Sequence, residues 1–211
     1  MIKTGIAAQY DLANPEQHRA LFKRLSGWGI PPREIDLVLT GLRDTTSLAF
    51  VKDWLRSADA AQGPTMLVMA GPKGVGKTIA AIYAMMHSDP WLPHGDKWKP
   101  DQIPRFRHVS DVAEVKLFGD EEDRKKRHEI KSSQMLVVDD VGVEFMSEMF
   151  LALFDSIVNA RYGSMGRTIL TTNLTADQFS TRYGSRVYDR IKGRGDWYDI
   201  DEESMRGREP T

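Results

Sequence analysis

The sequence contains no cysteine. That excludes disulfides and thiolate metal sites and suits a reducing compartment. Charge of one sign is also missing: 29 Lys and Arg face 30 Asp and Glu, a formal net charge of -1. No global field draws such a chain to nucleic acid or to an anionic membrane, so any contact of that kind has to come from a local patch. Long apolar runs are absent. None approaches the roughly 18 residues of a membrane span. The opening MIKTGIAAQYD lacks the ~7–15-residue apolar core of a signal peptide. No internal repeat is present. These absences point to a cytoplasmic chain with no membrane segment. What is present, 41% apolar and 28% charged residues in 211, is the make-up of one globular domain with a short appendage.

The N-terminal part reads as helical. Asn14-Pro15 pairs an N-cap with proline at the first helical position, and predicts a helix to about Leu25. Gly29-Ile30-Pro31-Pro32 is a rigid joint, and a second helix follows it to near Gly41. The cluster Asp44–Ser47 caps a third helix carrying Leu48, Val51 and Leu55 at helical spacing. From residue 65 strands and helices alternate. TMLVMA (65–70), MLVVD (135–139) and RTILTTN (167–173) are short runs suited to strands buried on both faces. Phe106–Val109 and Trp197–Ile200 are weaker strands, and Pro90–Pro104 is a loop. Helices are expected over Lys77–His87, Asp111–Phe118, Glu144–Tyr162, Thr175–Arg182 and Ser185–Ile191. This alternation predicts an α/β fold, a parallel sheet flanked by helices. The division expected is a helical extension and lead-in over 1–45, then the main domain over 46–211.

Gly71-Pro72-Lys73-Gly74-Val75-Gly76-Lys77-Thr78 matches the phosphate-loop pattern G-x-x-x-x-G-K-[ST]. A buried strand precedes it and a helix follows, the context that gives the pattern its meaning. Glycines let the backbone turn its N–H groups onto phosphates, and the helix N-terminus adds partial positive charge. Lys77 then reaches the β- and γ-phosphates, and the Thr78 hydroxyl ligates Mg²⁺. ATP and Mg²⁺ are the expected ligands.

The run MLVVDDVG ends in two adjacent carboxylates, Asp139 and Asp140. Buried carboxylates need water, a cation or a basic partner. In phosphate-loop proteins a second apolar strand ends in an acid on the metal side. Asp139 fits that role, and Asp140 is placed to polarise the attacking water. The alternative is a pair of caps in the turn before Glu144. Neighbouring strand residues point opposite ways. Both carboxylates therefore share one site only if the strand ends at Asp139, with Gly142 easing the turn. Asn173 closes the third strand and is placed either to orient water or to make a turn. Arg186 and Arg190, in YGSRVYDR, lie beyond the core strands, either within reach of a neighbouring subunit's nucleotide or on a solvated face. A nucleotide monophosphate kinase would need an arginine-rich lid, and Pro90–Pro104 holds none.

The block Asp120–Asp123 followed by Arg124–Arg127 reads first as an exposed helix or loop with internal i,i+4 pairs. Its sharper reading is a basic wall that touches DNA phosphates. Phe106 and Phe118 are placed either to stack on bases or, the reading favoured here, to pack in the core, and Met146 and Met149 are expected in the core rather than at a site. The histidines show no metal-ligand spacing.

MLVVDDVG, ARYGSMGRTILTTNL and YGSRVYDRI together resemble the AAA+ ATPases of the DnaC-type helicase loader and IstB-type transposition helper group. GIPPREIDLVLTGLRDTTSLAFVKDWL resembles the lead-in of that group, and the similarity spans roughly residues 29–206. The resemblance implies that residues 71–78 cradle phosphate, with metal at Thr78 and Asp139. It implies catalytic work for Asp140, which stands where the group has Glu or Asp and, a methylene shorter than Glu, predicts slow basal hydrolysis, for Asn173 at the sensor-1 position and for Arg186 as an arginine finger offered to the next subunit. Arg206 matches a C-terminal Ser-x-Arg element that touches nucleotide. Val112–Phe118, with Lys116, falls where the group grips single-stranded DNA. The implied partners are a replicative helicase or a transposase, single-stranded DNA and further copies of the chain. Three departures bear on the partner: a short N-terminal extension, no zinc site, and no full C-terminal lid. Three functions follow as alternatives: a helicase-loading ATPase, a transposition helper, and a nucleotide-gated adaptor with negligible turnover.

Overall fold

A computed structural model describes residues 6–58, 63–87, 103–202 and 204. After a 3₁₀ turn at Ile6–Gln9 come α1 (Pro15–Gly27), α2 (Pro32–Thr40) and α3 (Thr46–Ala58). Each start is chemically marked. The Asn14 side chain accepts from the Glu16 and Gln17 amides, Pro32 opens α2, and the Thr45 hydroxyl accepts from Leu48 N. The alternating region then runs β1 (Met66–Ala70), α4 (Lys77–His87), β2 (Arg105–His108), α5 (Val109–Ala113), α6 (Glu121–Ser132), β3 (Met135–Val141), α7 (Glu148–Ser164), β4 (Arg167–Thr172), α8 (Ala176–Tyr183), α9 (Ser185–Arg194) and β5 (Gly195–Asp199).

The five strands form one sheet in the order β2-β3-β4-β1-β5, and every pairing is parallel. Period-2 alternation divides the core. Leu67, Met69, Val137 and Ile169 face one way, into a cluster with Leu21, Leu25, Trp28, Ile35, Val51, Trp54, Ile82 and Met85 of α1–α4 and the first joint. Met66, Val68, Leu136, Val138 and Leu170 face the other way, into Phe150, Phe154, Ile157, Phe179, Val187 and Ile191 of α7–α9. Strands covered on both faces have no room for alternation between apolar and polar, hence the continuous apolar runs. Among the described residues, no helix is long and apolar enough to cross a membrane.

Several expectations shift. β3 does not stop at Asp139 but continues to Val141. α7 begins at Glu148, capped by the Ser147 hydroxyl, so Glu144 lies in the connecting turn. α5 starts early, at Val109, because the His108 imidazole accepts from Ser110 N and caps it there, and it ends at Ala113. Phe106 is core, but Phe118 is 88% exposed and Met149 half-exposed. The charge block is helix α6, laced by Lys126–Glu122 and Arg124–Glu121 pairs at 2.8 and 2.7 Å.

At the end of the sheet away from the carboxylates, Arg161 of α7 is buried. It donates to the Thr168 hydroxyl at 3.0 Å and to the backbone carbonyls of Lys131, Ser133 and Arg167. One guanidinium thus fastens the starts of β3 and β4 to α7. Burial lowers its pKa to about 10, which still leaves it charged at neutral pH.

Candidate nucleotide site

The C-terminal ends of parallel strands leave a crevice where loops converge. Here it is an open cleft of about 490 Å³, lined by Lys73, Gly74, Gly76, Lys77 and Thr78 of the phosphate loop and by Asp139, Asp140, Asn173, His108, Pro31 and the α2 residues Arg33, Glu34 and Leu37. Gly74 and Gly76 have φ of 88° and 86°, a region that favours glycine. A Cβ on Gly71 would lie 2.4 Å from the Ile200 carbonyl. Val75 turns inward and is fully buried, while its carbonyl accepts from the buried Ser47 hydroxyl at 2.6 Å. The loop is thus clamped to α3 and opens its backbone N–H groups at the start of α4, as anion binding requires.

Lys77 Nζ donates to the Gly71 and Pro72 carbonyls, both at 2.7 Å, and to Asn173 Oδ1 at 3.0 Å. That last bond brings Asn173, just past the end of β4, onto the phosphate loop. Thr78 Oγ1 lies 3.0 Å from both Asp139 oxygens. Asp139 Oδ1 also accepts from the Thr171 hydroxyl at 2.6 Å. Burial pushes the Asp139 carboxyl above its ordinary pKa, the Thr171 bond opposes that push, and the neighbouring Asp140 charge adds to it.

The two carboxylates share the cleft by a route the sequence conceals. The β3–β4 register pairs Val138 with Leu170 and Val141 with Thr172, so Asp139 and Asp140 together lie opposite Thr171. This is a bulge, and Asp140 takes the left-handed conformation within it at φ 57°. Asp and Asn tolerate that region better than most non-glycine residues. Thr171 pins the bulge: its hydroxyl accepts from Asp140 N at 2.9 Å while donating to Asp139. The expected turn at Asp139 eased by Gly142 is therefore replaced by a turn at Asp140 itself. Gly142, at φ 113°, serves the next bend, where a Cβ would meet Leu174 at 2.9 Å.

Thr171 and His108 were not singled out by motif. The signal for Thr171 is a pair of adjacent hydroxyls, Thr171 and Thr172, in a strand every residue of which is buried. His108 stands beside Asp139 in the sheet, and its Nε2 is 3.6 Å from Asp140 Oδ2. Its Nδ1 caps α5, so the imidazole links that helix to the carboxylate. Arg186 is not brought to this cleft. It projects from α9 with its side chain 73% exposed, 4.0 Å from Asp155, whereas Arg190 holds the same carboxylate at 2.6 Å. Arg206 and most of Pro90–Pro104 lie outside the described residues.

No three His, Cys, Asp or Glu cluster as a metal cage among the described residues. One hydroxyl and one carboxylate at 3.0 Å instead suit a cation such as Mg²⁺, which keeps water and phosphate oxygens as most of its ligands. A buried carboxylate with a raised pKa is also a group that a cation would relieve.

Among curated proteins none matches the chain. Solved structures do. The crystal structure of the DnaC helicase loader is 21% identical with a TM-score of 0.60, over 81% of this chain and all of that one. A putative primosome component from Streptococcus pyogenes serotype M3 is 16% identical with a TM-score of 0.63, over 87% of this chain and 98% of that one. The replication initiator DnaA bound to AMPPCP and single-stranded DNA is 19% identical with a TM-score of 0.56, over 77% of this chain and 48% of that one. These likenesses establish the fold as that of AAA+ phosphate-loop proteins. The sequence model of the IstB-like ATP binding proteins matches residues 43–211, and the chain belongs to that family.

Proposed function

We propose that this protein is an ATPase of the helicase-loader type, which assembles on single-stranded DNA and helps load a replicative helicase in the cytoplasm. The observation that carries the ATPase reading is the single network Thr78–Asp139–Thr171–Asp140 facing Lys77–Asn173 across one cleft. The helicase reading is supported by the likeness to the DnaC helicase loader, and the DNA reading by the likeness to DnaA bound to single-stranded DNA.

In this reading the amides of residues 74–78 and the α4 N-terminus receive the phosphates. Lys77 exchanges its carbonyl partners for β- and γ-phosphate oxygens. Leu37, Leu42, Leu48 and Ile79 line an apolar cavity of about 180 Å³ beside Gly76, which seats the base. Thr78 and Asp139 hold Mg²⁺, which when bound neutralises charge developing on the phosphates. Asp140 accepts a hydrogen bond from the attacking water, and Asn173 fixes that water from the β4 side. Arg186, which is exposed, serves the nucleotide of the next subunit in a homo-oligomer; such a finger is worth about 10³ or more in rate. Asp140, shorter than Glu by a methylene, holds its carboxylate about 1 Å further back. A misplacement of that size costs on the order of 10²-fold, so basal hydrolysis is slow until DNA or a neighbouring subunit closes the site.

The test is capture of the replicative helicase with and without ATP, alongside ATP turnover with and without single-stranded DNA. ATP-dependent capture and DNA-stimulated turnover are expected. Turnover with capture of a transposase instead would establish the transposition-helper reading, which the IstB-like family match favours. Nucleotide binding without turnover under any condition would leave an adaptor.

A further inference from the structure

Glu144 stands in the turn just past Asp140, and its side chain is completely buried. An ionised carboxylate in that position is costly unless it is fully bonded, and this one is. One oxygen accepts from Gly142 N at 2.8 Å. The other accepts from the Tyr183 hydroxyl at 2.6 Å and from Arg182 Nε and a terminal nitrogen at 3.3 and 3.2 Å. The Glu144 carbonyl takes another bond from Arg182, at 2.6 Å. Burial and the adjacent carboxylate both drive the Tyr183 hydroxyl well above its ordinary pKa, so it stays a donor at every working pH.

The partners matter for where they sit. Arg182 and Tyr183 form the last turn of α8. Gly184, at φ 88°, both ends α8 and begins α9, and Arg186 lies in the first turn of α9. On the other side, Gly142 follows the bulge that turns Asp140 into the cleft, and Val143 N donates to the Asp140 carbonyl at 3.3 Å. A single buried carboxylate therefore fastens the backbone that aims Asp140 to the backbone that aims Arg186. No phosphate-loop atom takes part, so the device is separate from nucleotide binding itself.

We infer that Glu144 is a positioning residue that couples each subunit's own water-orienting carboxylate to the finger it offers its neighbour, so that one chain's state is felt at two nucleotide sites. This rests on the proposal that Arg186 acts in trans. Glu144→Gln keeps the volume but sets an amide N–H₂ against either Gly142 N–H or the Tyr183 and Arg182 donors, since a glutamine presents only one acceptor. ATP binding should be retained, with KM within about twofold, while kcat falls by about tenfold or more.

The decisive measurement is ATP turnover in mixed assemblies. Asp140→Asn with Arg186→Ala sets the reference: each is inactive alone, and together they recover turnover if the finger acts in trans. E144Q should recover with neither of them, because it brings neither a good carboxylate nor a good finger. Mixed equally with wild type, a chain defective at one site leaves about half the turnover, whereas one defective at two leaves about a quarter, the product of two independent requirements. Recovery of E144Q with R186A, or with D140N, confines Glu144 to one site and overturns the coupling. Failure of the reference pair to recover instead removes the trans finger, and the coupling with it. Tyr183→Phe deletes a single bond to Glu144 and should show the same mixing pattern more weakly. A fully active Tyr183→Phe beside an E144Q that no longer binds ATP would reduce Glu144 to a fold residue and overturn the inference.

Discussion

Asp140 is held in a backbone conformation that most residues resist, and the cost can be removed. At φ 57° a left-handed non-glycine residue gives up about 1–2 kcal/mol. Glycine relieves that cost but gains freedom in the unfolded chain, which returns about 0.4–1 kcal/mol. The side chain's contact with His108 is 3.6 Å long, with both groups 40% exposed, and such pairs contribute at most about 0.5 kcal/mol. The balance for Asp140→Gly runs from about 0.5 kcal/mol lost to about 1.5 kcal/mol gained, centred on a small gain. In a domain of this size the gain raises the nucleotide-free melting temperature by up to about 6 °C. Asp140→Val, β-branched in the same conformation, should lose about 2 kcal/mol or more. Turnover moves the other way: D140G should bind Mg-ATP and hydrolyse it at a small fraction of the wild-type rate. Thermal unfolding of the three proteins, read against steady-state turnover, tests both halves. A D140G protein melting clearly below wild type, or a valine variant melting with it, would refute the bulge. Wild-type turnover by D140G would return Asp140 to the role of a turn residue.

Three further outcomes are expected. Lys77→Ala should abolish ATP binding, measured by calorimetry, at a cost of about 1 kcal/mol, because its partners include two phosphate-loop carbonyls and one amide that water can reach through the open cleft; tight binding by the variant would remove the phosphate-loop assignment. Asp139 has a raised pKa in the free protein, so its contribution to stability is fully present below the ordinary carboxylate range and is lost as pH rises through the raised value. Asp139→Asn should therefore flatten that loss and melt higher than wild type at neutral pH without Mg²⁺ or nucleotide, while the Mg²⁺ dependence of ATP binding weakens; identical pH–melting curves would contradict the burial argument. Arg161→Met should lower stability by about 2–4 kcal/mol, since buried carbonyls at the starts of β3 and β4 lose their donor, yet leave ATP affinity intact in the folded fraction, as chemical denaturation and nucleotide titration would show.

The sheet and the phosphate loop were legible because their signals are local. A strand buried on both faces must be apolar along its length, and a backbone that wraps phosphate must place glycines at fixed offsets. Helix starts were legible where the cap is a neighbour, as at Asn14 and Thr175. The start of helix α7 is not legible because apolar spacing continues upstream, through Phe145 and Met146, while the cap is Ser147. Phe118 was expected inside because most phenylalanines are, and nothing nearby in sequence tells of its 88% exposure.

The bulge shows where local reasoning stops. Alternation along β3 forbids Asp139 and Asp140 from sharing a face, and the sequence resolves that conflict only by ending the strand. The chain resolves it differently, with a hydroxyl from another strand. Thr171 can hold both residues because a hydroxyl donates and accepts at once; valine, its isostere and the better match to a buried strand, could do neither. The same logic governs the neighbouring position, where the Thr172 hydroxyl donates to the Val141 carbonyl at 2.5 Å and accepts from Leu174 N at 3.1 Å. The two adjacent threonines at the C-terminal end of β4 mark a backbone that has left the ladder opposite them, whereas Thr168 near its start serves Arg161. Polar residues inside apolar strands at the C-terminal edge of a parallel sheet therefore report on the neighbouring strand's irregularity, and it is that irregularity which aims the chemistry.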